Sequence, residues 1–317
     1  MWFIRCSFSA YTRVFAFVLA VNTATAQTDT AIAKSGEPIE MLFPQAKTKA
    51  LILSYDDGRT EDRQLVKLMN KYGLIGTFHL NSNKLGTNGY LTKAEIKQIF
   101  AGHEVSVHSA NHPNLTALSK IDVVYEVVED RKELERLMGY PVRGMAYPFG
   151  NHNEFVIETI KGLGIEYART VEDTYTFKMP ENFLKWHPTM HQFARAYWEP
   201  NNPENDKKEL DHFYQLINDF NSTKELSILD IWGHSWEMGN DPNKWDETER
   251  FFKLLANHPD IHYTTQIDLV DYINAFRNLK FSVEKNMVIN QSSLTIFFKK
   301  NNKPYSVLPG KTLVLGN

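Results

Sequence analysis

From Lys49 to about Asn274 the chain alternates short apolar runs with amphipathic stretches. "ALILSY" (Ala50–Tyr55) predicts a buried strand. "EDRQLVKLMNKYG" (Glu61–Gly73) sets Leu65, Leu68, Met69 and Tyr72 on one helical stripe and stops at Gly73. "IGTFHL" predicts the next strand, and "TKAEIKQIFAG" opens with a capping-box pattern at Thr92 and Glu95. "HEVSVHS" follows as a strand and "LSKIDVVYEVVEDRKELERLMG" as a long helix. "GMAYPFG", a helix at "NEFVIETIKGLG" and a strand at "IEYARTV" continue the alternation. Strand then helix, repeated, predicts an α/β fold with a parallel sheet or barrel and working loops at the carboxyl ends of its strands.

The pattern changes at both ends. Residues 281–317 show short alternating strands separated by Asn-Asn and Pro-Gly turns, which predicts a small C-terminal β appendage. Residues 27–47 have no periodicity and read as a linker. In residues 1–26, Arg5 and Arg13 precede the apolar run "VFAFVLAV" and the small residues "ATA". That order predicts a signal peptide cleaved near Ala26 and export to the periplasm or beyond the cell. The apolar run is far short of the roughly 20 residues a bilayer span needs, and no later segment could span one. Cleavage would remove Cys6, the single cysteine, so the exported chain would have neither disulfides nor thiol chemistry. Across all 317 residues, 42% are hydrophobic and the formal charge is −3, so a globular core is expected and nucleic acid is not a partner.

The polar residues gather at the predicted strand ends. Asp56 and Asp57 follow the first strand; neighbours on a regular strand point to opposite faces, so both serve one site only if the strand has ended, and Gly58 is consistent with such a break. His108 and His112 lie four apart after the third strand, with Pro113 disfavouring helix at His112, so a tight loop or single turn is expected. The spacing alone says little, because His187/His191 and His258/His262 share it. What separates the first pair is its place on the same expected rim as the two aspartates. One carboxylate and two imidazoles make a three-ligand set for zinc or a similar ion, and a second carboxylate is then available as a base. "AYPFG" (Ala146–Gly150) suits a fixed loop whose backbone N–H can face a reacting oxygen. "SILDIWGHSWE" ends a strand at His234, where a general acid can be placed.

Taken in order, these segments resemble the polysaccharide deacetylases, the NodB-homology domain of carbohydrate esterase family 4. "SYDDG" is similar to that family's first motif, "GHEVSVHSANHPNL" to its second, "AYPFG" to its third and "IWGH" to its fifth. The alternative "AYPFG" form, "GHSWE" and the β appendage resemble a divergent branch associated with gellan-lyase-linked deacetylase domains. The resemblance implies a distorted (β/α) barrel over residues 48–280. It implies Asp56 as general base, Asp57, His108 and His112 as ligands of a divalent metal (Zn2+ foremost), the Phe149 backbone N–H as an oxyanion donor and His234 as general acid. The arginine of the third motif is replaced by Ala146; Arg169 is the candidate substitute, with Arg143 second. No fourth motif is found, and "KWHPTMH" around Trp186 and His187 stands in that region.

The activity implied is hydrolysis of N- or O-acetyl groups on an acetylated polysaccharide or oligosaccharide. Two alternatives are a catalytically weak carbohydrate-binding relative that keeps the metal site, and a metal hydrolase of non-sugar amide bonds. Trp186, Trp198, Trp232, Trp236 and Trp245 fall in one part of the chain, most of them expected in the core. Tyr147, Trp232 and Trp236 are the candidates for substrate contact.

Overall fold

A computed structural model describes residues 38–192 and 203–315. The expected signal peptide and Trp198 lie outside the described residues. The elements run β1 (Glu40–Leu42), β2 (Lys49–Asp57), α1 (Asp62–Lys71), β3 (Thr77–Leu80), α2 (Ile96–Ile99), β4 (Glu104–Val107) and α3 (Lys120–Met138). They continue with β5 (Gly144–Ala146), α4 (Glu154–Gly162), β6 (Tyr167–Arg169), β7 (Met190–His191), α5 (Pro203–Ser222) and β8 (Ser227–Gly233). After α6 (Pro242–Leu255), β9 (Ile261–Tyr263) and α7 (Gln266–Arg277) come β10 (Lys280–Phe281), β11 (Met287–Ile289), β12 (Ile296–Lys300), β13 (Lys303–Val307) and β14 (Thr312–Val314).

Eight strands form one curled parallel sheet in the order β6-β5-β4-β3-β2-β8-β7, with β9 also paired to β2. This is the half-open (β/α) barrel that the strand–helix alternation predicts. Strand β2 runs through its centre and is buried from Lys49 to Asp56, as a strand covered on both faces must be. The helices lie on the outside by their apolar stripes: α1 buries Leu65, Val66 and Met69, and α3 buries Val123, Val127, Leu134 and Met138. Ser119 caps α3 at its start, and Gly139, at φ 82°, ends it in the left-handed conformation. The helix expected after Thr92 is reduced to the four residues of α2. Glu95 bonds back to the Thr92 N–H at 3.3 Å, but no side chain caps the helix start.

The C-terminal strands form two small antiparallel sheets, β10-β11-β14 and β1-β12-β13. The second includes Glu40–Leu42, so part of the stretch expected to be a linker is instead a strand, registered against Lys299–Phe297 of β12. A three-residue strand has too little pattern to be read from sequence; its partner supplies the definition. The appendage also shares a core with the barrel: Phe43, Ile52, Trp186, Tyr272, Val288, Ile296 and Phe298 pack in one cluster. The Tyr272 hydroxyl donates to the Leu42 carbonyl at 2.7 Å and accepts from the Phe297 N–H at 2.9 Å, tying α7 to β1 and to β12. Among the described residues no helix is long and apolar enough to cross a membrane.

Candidate active site

The carboxyl ends of β2, β4, β6 and β8 meet on one rim of the sheet and carry Asp56, Asp57, His108, Arg169 and His234. Asp56 and Asp57 still pair in register with His79 and Leu80 of β3, so the strand has not ended where the first carboxylate leaves it. The turn occurs at Asp57 itself, whose φ is 85°, followed by Gly58 at 75°. Gly58 stands at the break as expected, and Asp57 before it, a non-glycine residue, also holds the left-handed conformation, which is uncommon for such residues. Ser109 (65°), His112 (62°) and Phe149 (60°) do the same around the same opening.

Asp57 Oδ1 stands 3.8 Å from His108 Nε2 and 3.8 Å from His112 Nε2. These gaps are too long for hydrogen bonds. They are close to the ligand–ligand spacing of about 3.4 Å that bonds of about 2.0–2.1 Å give in a tetrahedron. The second polar atoms of His108 and Asp57 are already engaged. His108 Nδ1 donates to the Ala146 carbonyl at 2.8 Å, which leaves the Nε2 lone pair facing the opening. Asp57 Oδ2 accepts from Trp236 Nε1 at 2.7 Å, which leaves Oδ1. His112 donates its backbone N–H to Ser109 Oγ at 3.1 Å, fixing the tight loop expected before Pro113. Burial and the neighbouring His108 push the His112 imidazole down to about 4, so it is neutral and able to ligate. The donor set, its spacing and its protonation fit a divalent cation of the zinc type.

The loop that carries the two histidines is held from below by α3. Asp130 accepts from the backbone N–H of Ser82 at 2.7 Å and of His108 at 2.9 Å, and Glu126 accepts from the Asn111 N–H at 2.8 Å. Asn81 Nδ2 donates to the carbonyls of His108 and Ser109 at 2.6 and 2.9 Å. None of these three side chains is singled out by the sequence. Glu126 and Asp130 read as solvent charges on a long helix, and only their phase with Val123, Val127 and Leu134 marks them as inward-facing.

Beside this cluster lies a buried ion pair. Arg169 Nη2 donates to both carboxylate oxygens of Asp56, and Nη1 donates to the Thr170 carbonyl at 2.8 Å. The guanidinium lies over the Trp232 ring at 4.7 Å. Burial pushes the Asp56 carboxyl up, but Arg169 above all, with His108, His79 and His234, holds it well below the usual carboxylate range. In the sheet register Arg169 of β6 sits directly opposite Ala146 of β5, the position that lacks the expected arginine. A neighbouring strand thus supplies the cation. Arg143, the other candidate, is engaged with Asp271 and Glu166 and takes no part.

Across the opening, His234 Nε2 stands 4.0 Å from Asp56 Oδ2. Its Nδ1 donates to Glu237 Oε1 at 2.8 Å, in a capping box that also brings the Glu237 carboxylate to the His234 N–H. The same Oε1 lies 3.1 Å from His191 Nε2. Burial pushes the His234 imidazole down, yet Glu237, Asp56 and Asp57 outweigh it and raise it to about 9. Burial pushes Glu237 up, and His191 and His234 bring it down to about 2. Glu237 is therefore an ionised carboxylate between two imidazoles. The sequence places it three residues after His234, a capping spacing that is legible but carries no catalytic signal by itself.

The remaining expected residues divide. Phe149 packs edge-on to His112 with ring centres 4.6 Å apart, and its side chain is 56% exposed at the opening. Trp232 is buried, its Nε1 bound to Asp173 at 2.8 Å, so it supports Arg169 rather than offering a face to a ligand. Trp236 is half-buried and holds Asp57. Tyr147 is 1% exposed and donates its hydroxyl to the Leu184 carbonyl at 2.9 Å. It belongs to the core, a correction to its expected place against substrate: its backbone follows the strand, but its side chain turns inward. His187 bonds Thr170 Oγ1 at 2.7 Å, outside the cluster.

Comparison with known proteins agrees with this geometry. Residues 44–168 match the family described as polysaccharide deacetylase. The peptidoglycan-N-acetylglucosamine deacetylase PgdA of Listeria monocytogenes is 29% identical over 133 residues, covering 41% of this chain and 28% of that protein. A chitin deacetylase of Pestalotiopsis sp is 24% identical over 133 residues, covering 42% of this chain and 45% of the enzyme. The chain thus spans less than half the length of these relatives. A solved structure from Mycobacterium smegmatis, grouped with the polysaccharide deacetylases, superposes over 76% of this chain and 95% of its own, with a TM-score of 0.58 and 14% identity. That likeness concerns the fold. Residues 44–168 are thus similar in sequence to the polysaccharide deacetylases, and the half-barrel around them shares its fold with a solved structure grouped with that family.

Proposed function

We propose that this protein is an exported, metal-dependent hydrolase that removes acetyl groups from an acetylated polysaccharide or oligosaccharide. The observation that carries the proposal is the convergence of Asp57 Oδ1 and the Nε2 atoms of His108 and His112, with the Arg169-paired Asp56 beside them. Asp57, His108 and His112 would hold the cation, which when bound would polarise the acetyl carbonyl and activate water. Asp56, kept ionised by Arg169, accepts the proton of the attacking water. The Phe149 backbone N–H, presented by the strained Pro148–Gly150 turn, faces the oxyanion; one such donor is worth about 3 kcal/mol. His234, raised to about 9, is protonated at neutral pH and gives its proton to the departing amine or alcohol as acetate leaves.

Residues 48–280 form the catalytic domain in this reading, the C-terminal strands are an appendage that shares its core, and residues 1–26 direct export. The Arg169–Asp56 pair weighs against the non-catalytic alternative, because the base keeps a cationic partner. Acetate release from N-acetylated and O-acetylated glycans, measured with the zinc-loaded protein, tests the proposal. Release from at least one glycan class is expected; zinc bound with no release from chitin, peptidoglycan, xylan or exopolysaccharide fragments would overturn it.

A further inference from the structure

The His191–Glu237–His234 group has the composition of a second metal site. One ligand atom from each of the three residues lies within 4.8 Å of the others, and Glu237 Oε1 stands 3.1 Å from His191 Nε2 and 2.8 Å from His234 Nδ1. Two histidines and a glutamate are a zinc-binding set in their own right. Three features build the pocket around them. Asp173 accepts from the His191 backbone N–H at 3.1 Å and so fixes where that ring starts. The Glu237 carboxylate is anchored to the His234 N–H. Gly233 lines the group closely: a Cβ there would stand at ordinary contact distance, 3.4 Å from Glu237 Oε2 and 3.7 Å from His191 Nε2. Both rings retain some exposure, His191 12% and His234 18%, so an ion can reach them from solvent.

We propose that His191, His234 and Glu237 bind a second divalent transition-metal ion, more weakly than the Asp57 set, and that its binding suppresses turnover. The ion takes the lone pairs of His191 Nε2 and His234 Nδ1 and one carboxylate oxygen of Glu237. The protons now shared in the two N–H···O contacts must leave those nitrogens for solvent. His234 then holds a proton on Nε2 only and is a neutral, metal-bound ring without the imidazolium proton to give. Both hydrogen bonds to Glu237 are lost on binding, which sets the second affinity about tenfold or more below one with no such contacts to break. The inhibitory consequence rests on His234 being the proton donor; the binding does not.

Zinc titration by calorimetry, with anomalous diffraction at the zinc edge, tests the site. The wild-type protein should take up two equivalents with distinct affinities. The weaker equivalent should disappear in both His191→Ala and Glu237→Gln, and the stronger should disappear in Asp57→Ala. Acetate release by the wild type should fall across the zinc range that fills the weaker site. A single equivalent in the wild type, or a second one that survives both His191→Ala and Glu237→Gln, would overturn the proposal. Unchanged stoichiometry in Asp57→Ala would instead count against the metal reading of the main site, so the two failures are distinguishable. Circular dichroism shows which variants fold, and the two substitutions at different residues keep the test decisive if one does not.

Discussion

On the β2–β4 side of the opening, Asp57 Oδ1 stands 3.8 Å from each of two imidazole nitrogens, whereas on the β8 side Glu237 Oε1 lies 2.8 Å and 3.1 Å from two others. The residue types are the same, one carboxylate and two histidines. The difference lies in what the second atoms do. Trp236, Ala146 and Ser109 engage the Asp57 set from outside and leave the inward atoms facing a gap. The Glu237 set has closed that gap with its own hydrogen bonds. The same donor types can thus make a ready cation site or a charged relay, and supporting contacts decide which.

Substitutions that remove the open side should have the largest effects. Asp57→Ala is expected to abolish tight zinc uptake and to lower kcat/KM by roughly 10³-fold or more, since a catalytic cation supplies several kcal/mol of transition-state stabilisation. Equilibrium dialysis and acetate release on the same preparation check this. Arg169→Ala should come next: it leaves Asp56 buried without its partner, which typically costs about 3–5 kcal/mol of stability, read by urea unfolding. In the same variant the acidic limb of the rate profile should move to higher pH, because the cation that most strongly holds the Asp56 carboxyl down is gone.

Smaller changes separate the two sides more finely. Trp236→Phe removes the bond to Asp57 Oδ2 and keeps the ring, and should weaken zinc binding by about 10–100-fold. Glu237→Gln acts on the opposite side. It removes the main charge that raises His234 toward about 9, so the alkaline limb of the rate profile should move to lower pH, with zinc uptake at the Asp57 set retained. If Glu237→Gln left that limb in place, the closed side would have no role in the acid step.

A last effect, expected on stability and not on turnover, concerns Asp62 in the first turn of α1. Burial pushes its carboxyl up to about 8, against the Ser235 contact that lowers it. A raised carboxyl is favoured in its protonated form by the folded protein. Its contribution is therefore complete below the ordinary carboxylate range and is lost as pH rises from about 4 toward 8. Asp62→Asn should raise Tm at pH 8 relative to the wild type and flatten the decline over that window; an unchanged slope would exclude Asp62 as its source.

The open side is legible in the sequence and the closed side only at His234, for physical reasons. Asp56, Asp57, His108 and His112 stand at or just beyond the carboxyl ends of strands whose apolar runs are unmistakable, so strand direction brings them to one rim. Arg169 is legible for the same reason, although only the register of β6 against β5 puts it opposite Ala146. The His191–Glu237 contact joins residues far apart in the chain through the pairing of β7 with β8, and β7 has only two residues. Periodicity cannot reveal so short a strand. Asp130 and Glu126 were hidden by the opposite effect, a helix rich enough in charge that two inward-facing acids look like part of its solvent face. Strand β1 was missed because Glu40–Leu42 has no pattern until β12 lies beside it.

The central claim divides the adjacent aspartates of "SYDDG" between two tasks: Asp57 binds the cation and Asp56 takes the proton. Asp56→Asn keeps the shape and the burial of the side chain and removes its charge. Measured on one preparation, zinc content and acetate release should part company, with the tight equivalent of zinc retained and turnover reduced by about 10²–10⁴-fold. Near-normal turnover with zinc bound, or loss of zinc together with activity, would contradict that division.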